Sequence, residues 1–323
     1  MLAIQAVRAG GPEVLEVVEV PVPEPGPNQI LVRHEAVGLN FIDTYQRSGL
    51  YPVRMPAVLG LEAAGVVEAV GEGVSRFAPG DRVAYGNGPL GAYAEFHVVP
   101  EGRAVRVPAG VDSRTAAGAM LKGMTAEFLL RRCAPVKAGD WVLVQAAAGG
   151  VGTILVQWAK ALGAKVIGTA GDASKAALAK ANGADETILY RDQDVAERVK
   201  TITGGQGVRV VYDGVGAATF QGSLDSLGRR GTMVTYGNAS GPVPPVAPLE
   251  LSKRGSLHLT RPTLFDYVAT TEELDESAGA LFEVIASGAV KIEIGQTFPL
   301  AETRLAHEAL EARGTTGSTL LLP

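Results

Sequence analysis

Residues 141–152 read WVLVQAAAGGVG, an apolar run that passes directly into a glycine-rich turn. Ala146, Gly149 and Gly152 stand where a dinucleotide-binding fold places three small residues. Such residues allow a tight turn, close approach of backbone to a pyrophosphate, and close packing of a helix on the preceding strand. A helix over residues 151–162, with Val151, Ile154, Leu155, Trp158 and Leu162 at helical spacing, would aim its N-terminal amides and dipole at the anion. Ala148, Gly149, Gly150 and Val151 are therefore the candidate phosphate contacts. A glycine-rich turn alone is more often only a turn. Here a strand precedes it, a helix comes after it, and residues 165–169 read as the next strand, which is the context the motif requires.

The choice of dinucleotide turns on the residues at the end of that second strand. An acidic residue there binds the ribose 2′-hydroxyl of NAD, whereas NADP needs positive charge and room. Thr169-Ala170-Gly171 closes the strand without an acid, and Asp172 comes next. Asp172 matches an NAD position poorly and reads better as the N-cap of a helix over residues 174–182.

Composition restricts the alternatives. The chain of 323 residues is comfortable for two domains, and its net charge of -5, with no dense Lys/Arg cluster, argues against nucleic-acid binding. Cys133 is the only cysteine, which excludes an internal disulfide and a multi-cysteine zinc site. It reads as a buried small apolar residue. The four histidines, His34, His97, His258 and His307, lack metal-ligand spacing and read as surface or core imidazoles. No metal is expected. With no secretory leader and no membrane span, the expectation is a soluble cytoplasmic protein.

The elements that must position these residues fall into two textures. Up to about residue 106, Gly and Pro punctuate short runs rich in Val, Ile and Ala, such as residues 30–37, 64–70 and 94–99. This predicts a small irregular β barrel. From about residue 116, helical patterns alternate with apolar strands at residues 141–146, 165–169, 186–190, 208–213 and 231–236. The intervening helices are expected over 151–162, 174–182, 195–203 and 220–227, and such alternation predicts a parallel sheet covered by helices. Its ligand should lie outside the strands' carboxyl ends. Further helices are expected around 272–287 and 302–312, and a last apolar segment at 319–322 is too short to stand alone. It is expected to return to the N-terminal β domain.

Several passages together resemble the medium-chain dehydrogenase/reductase superfamily, and within it the zinc-free NADPH:quinone oxidoreductases related to zeta-crystallin. They are Gly10-Gly11-Pro12-Glu13-Val14-Leu15, Asn40-Phe41-Ile42-Asp43-Thr44-Tyr45 leading to Arg47-Ser48-Gly49-Leu50-Tyr51-Pro52, Gly60-Leu61-Glu62-Ala63-Ala64-Gly65, Leu121-Lys122-Gly123-Met124-Thr125, and the turn itself. The resemblance covers nearly the whole chain. It implies an α/β architecture: a GroES-like β-rich catalytic domain at residues 1–122 and 260–323, a Rossmann doubly wound NADPH-binding domain at residues 123–259, and a homodimer. Zinc-bearing members of the superfamily use a Cys near the position of Asn40 and a His near that of Leu61, and those ligands are missing here. Without a Lewis acid the acceptor must already be electrophilic or be activated by hydrogen bonds alone. Quinones and conjugated enones meet that demand.

The resemblance also assigns roles. Asn40 would contact the nicotinamide ribose region, and Tyr45 the cofactor or the substrate carbonyl. An ordinary turn is the plainer reading of both. Tyr51 is a weaker catalytic candidate whose alternative is loop packing. Lys122, with Thr125, would lie beside the cofactor, against a solvated lysine at a helix start. Lys175, Tyr190 and Arg191 would surround a 2′-phosphate next to Gly171. Val215, Tyr236, Gly237, Asn238 and Ser240 come after the fourth and fifth strands and would meet the nicotinamide half. Arg261, before Pro262, would line the substrate side, with a structural salt bridge as the equal alternative. The expected activity is NADPH-dependent quinone reduction. Reduction of the double bond of enones or enoyl thioesters is the alternative, and a non-catalytic NADPH- or RNA-binding crystallin-like protein a second one.

Overall fold

The computed structural model describes residues 1–323, and they divide into two compact units. The first comprises residues 1–124, 267–286 and 292–323, and the second residues 125–266 and 287–291.

In the first unit, Gln29–Leu39 is a long strand buried on both faces at either end, with only Arg33 and Glu35 exposed, between Val32 and Ala36. That strand is the hub of a seven-stranded sheet, ordered Ile294–Pro299, Ser318–Leu322, Gln29–Leu39, Glu62–Val70, Arg82–Tyr85 and Val105–Arg106, with Phe96–Pro100 pairing Gln29–Leu39 off this path. The C-terminal segment does return: Leu321 pairs Val37 and Thr319 pairs Leu39, antiparallel. Leu2–Ala6 forms a smaller sheet with Leu15–Glu19 and Ala57–Val58. Ile4, Val32, Val37, Leu59, Val67, Tyr93 and Leu321 pack into one buried cluster. Burying such side chains contributes about 1.5–3 kcal/mol each.

The second unit holds a six-stranded sheet, ordered Glu186–Leu189, Lys165–Ala170, Trp141–Val144, Val208–Asp213, Leu227–Thr235 and His258–Thr260, with every pairing parallel. Its central strands are nearly continuous apolar runs, as strands covered on both faces must be. Leu143, Ile167, Val211, Phe220, Leu224 and Met233 belong to its core.

Four local expectations need correction. Residues 40–48 are no ordinary turn, because Phe41–Ser48 is a helix. Lys122 is not at a helix start either, since it lies well inside Ser113–Phe128 and is buried. The helix expected over 220–227 ends at Asp225, and Leu227 opens a strand by pairing with Val208. Helical spacing of Phe220, Leu224 and Leu227 conceals that change. Cys133 closes a π-helical turn, Leu129–Cys133, and is only half-buried.

Candidate active site

The helix Phe41–Ser48 begins because the chain supplies its own cap. Asn40 is extended, at φ -135 and ψ 156, and Asp43 at the third helical position reaches back so that its Oδ2 accepts the Asn40 backbone N–H at 2.8 Å. The helix ends at Gly49, whose φ of 85 is left-handed. The cap fixes the Asn40 backbone, and a second carboxylate fixes its side chain. Asn40 Nδ2 donates to Glu62 Oε2 at 2.8 Å and, more weakly, to the Gly38 carbonyl at 3.4 Å. Both partners are acceptors, so the amide's orientation is determined.

Glu62 is fully buried, and both of its oxygens are engaged. Its Oε2 also accepts from Lys122 Nζ at 2.7 Å, and its Oε1 accepts the Leu121 backbone N–H at 2.7 Å. The sheet register sets Glu62 opposite Gly38, and a Cβ on Gly38 would collide with the carboxylate. Lys122 is thus ion-paired with Glu62, a partner that sequence spacing does not reveal although it stands in the Gly60 to Gly65 passage. Tyr45 is buried one turn along the same helix, its ring 5.3 Å from that of Tyr51 in an edge-on arrangement at 67°. Asn40, Tyr45, Tyr51, Glu62 and Lys122 all belong to the first unit.

Asp43 leads into a second buried network. Its Oδ2 also accepts from Tyr93 Oη at 2.8 Å; Tyr93 Oη lies 3.0 Å from His307 Nε2, and His307 Nδ1 lies 3.0 Å from Arg47 Nη1. Arg47 continues to Glu311 at 2.6 Å and, through Nε, to the Gly10 carbonyl at 3.1 Å. Burial pushes the Asp43 carboxyl up to about 7, against the lowering effects of the Tyr93 hydroxyl, the Asn40 amide and the Lys122 charge; the Glu62 charge adds to the rise. Burial, then the Arg47 charge, hold His307 down to about 3.

In the second unit the fingerprint turn fits a dinucleotide phosphate. Ala146 has a φ of 53, a left-handed backbone that costs an alanine roughly 1 kcal/mol. A Cβ on Gly152 would collide with the Ala146 carbonyl oxygen and the Ala147 backbone. Gly149 is the extended N-cap of the helix Gly150–Ala161, which leaves the first-turn amides of Gly150 and Val151 available to an anion. A buried chain of donors holds the turn. Ala146 N–H donates to Thr169 Oγ1 (3.1 Å), Thr169 to Gln145 Oε1 (2.7 Å), Gln145 Nε2 to Ser223 Oγ (3.0 Å), and Ser223 to Asp213 Oδ2 (2.8 Å).

Asp213 also takes the Val215 and Gly216 backbone amides at 2.8 and 3.1 Å, so the loop after the fourth strand is tied to the same network. Ser240 joins it, its N–H and Oγ both donating to the Val215 carbonyl at 2.7 and 2.8 Å. Gly237 packs so closely on Gly214 that a Cβ would strike the Gly214 carbonyl. Val215, Gly237 and Ser240 are thereby brought together, flanked in sequence by Tyr236 and Asn238. At the end of the second strand, Asp172 Oδ1 accepts the Lys175 N–H at 2.9 Å and caps Ala173–Ala181. A Cβ on Gly171 would lie 2.8 Å from Tyr190 Oη and 3.6 Å from Arg191 Nε. Tyr190 and Arg191 therefore converge on Gly171, with Lys175 in the first turn of the helix just beyond. Arg261 is exposed, and its Nη1 donates to the Pro262 carbonyl at 3.1 Å. Thr125 is buried in the helix Ser113–Phe128.

A GroES-like sheet domain with a parallel sheet carrying this turn defines a nicotinamide-dependent dehydrogenase of the medium-chain class. Residues 26–109 match the alcohol dehydrogenase GroES-like domain, and residues 150–283 match the zinc-binding dehydrogenase domain. The chain is 53% identical over 321 residues to a quinone oxidoreductase of Pseudomonas aeruginosa, covering 99% of each. It is 46% identical over 323 residues to a 2-haloacrylate reductase from Burkholderia, covering 98% of this chain and 97% of that one. The solved structure of Escherichia coli quinone oxidoreductase complexed with NADPH superposes with a TM-score of 0.98 at 49% identity, over 100% of each chain. The chain belongs to the zinc-free quinone oxidoreductase family of the medium-chain dehydrogenase/reductase superfamily. No group of three His, Cys, Asp or Glu side chains is placed to hold a metal ion, and no helix is long and apolar enough to cross a membrane.

Proposed function

We propose that this chain is an NADPH-dependent, metal-free quinone reductase. The observation that carries the acceptor class is the Asn40–Glu62–Lys122 constellation. Its carboxylate is consumed by an ammonium, an amide and a backbone N–H, and it offers no Lewis acid to a substrate carbonyl. A simple ketone is the poorer acceptor there, whereas a quinone is electrophilic without a metal.

Bound NADPH supplies a hydride from its nicotinamide ring. The chain supplies position and protons. Ala148, Gly149, Gly150 and Val151 would bind the pyrophosphate, and Gly171, Lys175, Tyr190 and Arg191 the 2′-phosphate. Val215, Tyr236, Gly237, Asn238 and Ser240 would orient the nicotinamide half, with Lys122 and Thr125 alongside. Asn40 would hold the ribose region, and Tyr45, with Tyr51 packed against it, would donate a proton to the product oxygen directly or through water. Arg261 would line the substrate side. We also read the protein as a cytoplasmic homodimer, for which light scattering in solution is the check on assembly.

A second reading, reduction of an activated carbon–carbon double bond, is supported by the 46% identity to a 2-haloacrylate reductase. Steady-state NADPH oxidation against panels of quinones, enones and 2-haloacrylates separates the two. Quinones should give the highest kcat/KM. Inactivity on every quinone, with turnover of an alkene panel, would overturn the leading reading.

A further inference from the structure

The Asp43 network has a direction that proton counting determines. Arg47 can only donate, so the His307 Nδ1 it faces at 3.0 Å must be a lone pair. His307 is then neutral with its proton on Nε2, and donates it to Tyr93 Oη at 3.0 Å. Tyr93 must in turn give its own proton to Asp43 Oδ2 at 2.8 Å, the oxygen that also takes the Asn40 N–H. Every donor finds an acceptor in a single sense, Arg47 to His307 to Tyr93 to Asp43. All four side chains are nearly or wholly inaccessible. Asp43 Oδ1 has no partner, so the capping oxygen depends on this one line of support.

We infer that Tyr93, His307 and Arg47 are positioning residues for the reaction, whose one-way donor chain holds Asp43 as the acceptor that fixes the Asn40 amide and the start of the helix Phe41–Ser48. The helix carries Asn40 at its cap and Tyr45 in its second turn, so the inference rests on the reading that these two face cofactor and acceptor. A nearby cluster supplies an internal control. Tyr85 Oη also sits between two imidazoles, 2.8 Å from His34 Nε2 and 3.0 Å from His97 Nδ1. The far nitrogens of both rings must donate to carbonyls, of Ala94 at 2.7 Å and Leu90 at 3.1 Å. One hydroxyl proton therefore serves two acceptors, and no bond leads from there to Asn40.

The test compares Tyr93→Phe, His307→Leu, His307→Gln and Tyr85→Phe by hydrogen exchange of the peptide containing Asn40 and by steady-state kinetics with NADPH and a quinone. Tyr93→Phe and His307→Leu should speed exchange at Asn40 and lower kcat roughly tenfold to a hundredfold, as small misplacements of reacting groups do. KM for NADPH should rise less than kcat falls, because the phosphate grip uses none of these residues and only the Asn40 contact to the cofactor is disturbed. His307→Gln keeps one acceptor and one donor and should restore both readouts, while Tyr85→Phe should move neither. A fall in thermal stability with unchanged Asn40 exchange and unchanged kcat would overturn the inference, as would equal effects of Tyr85→Phe and Tyr93→Phe. A wild-type protein inactive on every quinone would instead overturn the functional reading, and the exchange measurement would still decide the inference.

Discussion

Each unit contains a chain of hydrogen bonds that ends on a wholly buried aspartate, Asp43 in one and Asp213 in the other, and the two ends differ in how completely they are satisfied. Asp213 receives the Val215 and Gly216 amides, the Ser223 hydroxyl and the Thr219 hydroxyl, shared between both oxygens at 2.9 and 2.7 Å. Asp43 receives two donors on one oxygen and none on the other. The Asp213 network is built from backbone amides and small neutral side chains and holds loops that carry few side chains of consequence. The Asp43 network ties three distant parts of the chain through an arginine and a histidine to a single helix cap. The nucleotide grip is thus specified by what its residues lack, and the acceptor side by buried charge that must be matched.

Breaking the grip should have the largest effect. Gly152→Val places carbon atoms where the Ala146 carbonyl and Ala147 backbone lie, neither of which can move aside. NADPH affinity, followed by fluorescence titration, should fall beyond detection; near-normal binding would refute the role given to this turn. Next comes Glu62→Gln, which leaves Lys122 buried without its counter-charge. Stranding one partner of a buried ion pair costs roughly 3–5 kcal/mol, so calorimetry should record a Tm lower by on the order of 10 °C, together with reduced kcat. An unchanged Tm would mean that the pair is dispensable.

Lys175→Ala tests the phosphate end of the comparison. Loss of a charge-assisted contact is worth roughly 1.5–3 kcal/mol, which predicts KM for NADPH raised about tenfold to a hundredfold with NADH kinetics little altered. Equal effects on both cofactors would remove Lys175 from the 2′-phosphate. A further test is the acid dependence of stability, and it reads the first unit alone. Burial holds His34, His97 and His307 down to about 3, about 4 and about 3. Below the ordinary histidine value of about 6.5, the unfolded chain therefore takes up three protons that the folded chain refuses. Asp43, pushed up to about 7, acts in the opposite sense: its contribution is complete below the ordinary aspartate value and is lost as pH rises through 7. Three groups against one leave a net uptake of nearly two protons, and so a loss of roughly 2–2.5 kcal/mol per pH unit on acidification between about pH 6 and 4.5. Tm should fall over that interval, and a flat or rising Tm would contradict the neutral assignment of these imidazoles.

The same contrast explains what is legible in the sequence. The turn at Ala146 to Gly152, the parallel strands and the cap at Asp172 are local, with causes lying within a few residues, so spacing alone exposes them. The return of Thr319 to the N-terminal sheet is inferable because a strand that short needs a neighbour. The Asn40 helix escapes notice because its cap is an Asn near an Asp inside a passage that otherwise reads as a turn, although the Asn-x-x-Asp spacing is a recognisable capping signal. Glu62, Tyr93, Arg47 and His307 carry no usable signal. Their bonds span separations of 22, 50 and 260 residues, and nothing in a run of sequence announces partners that far apart. Lys122 shows the cost of that blindness, since nothing in the spacing announces that its ammonium is paired with the buried Glu62.

Hydride transfer to an acceptor that needs no metal is the central claim. Its most direct test is steady-state NADPH oxidation with a quinone by enzyme exhaustively treated with chelator and verified metal-free by elemental analysis. Full activity retained after treatment, and not increased by added zinc, is the predicted result. Loss of quinone turnover on chelation with recovery on adding zinc would contradict it.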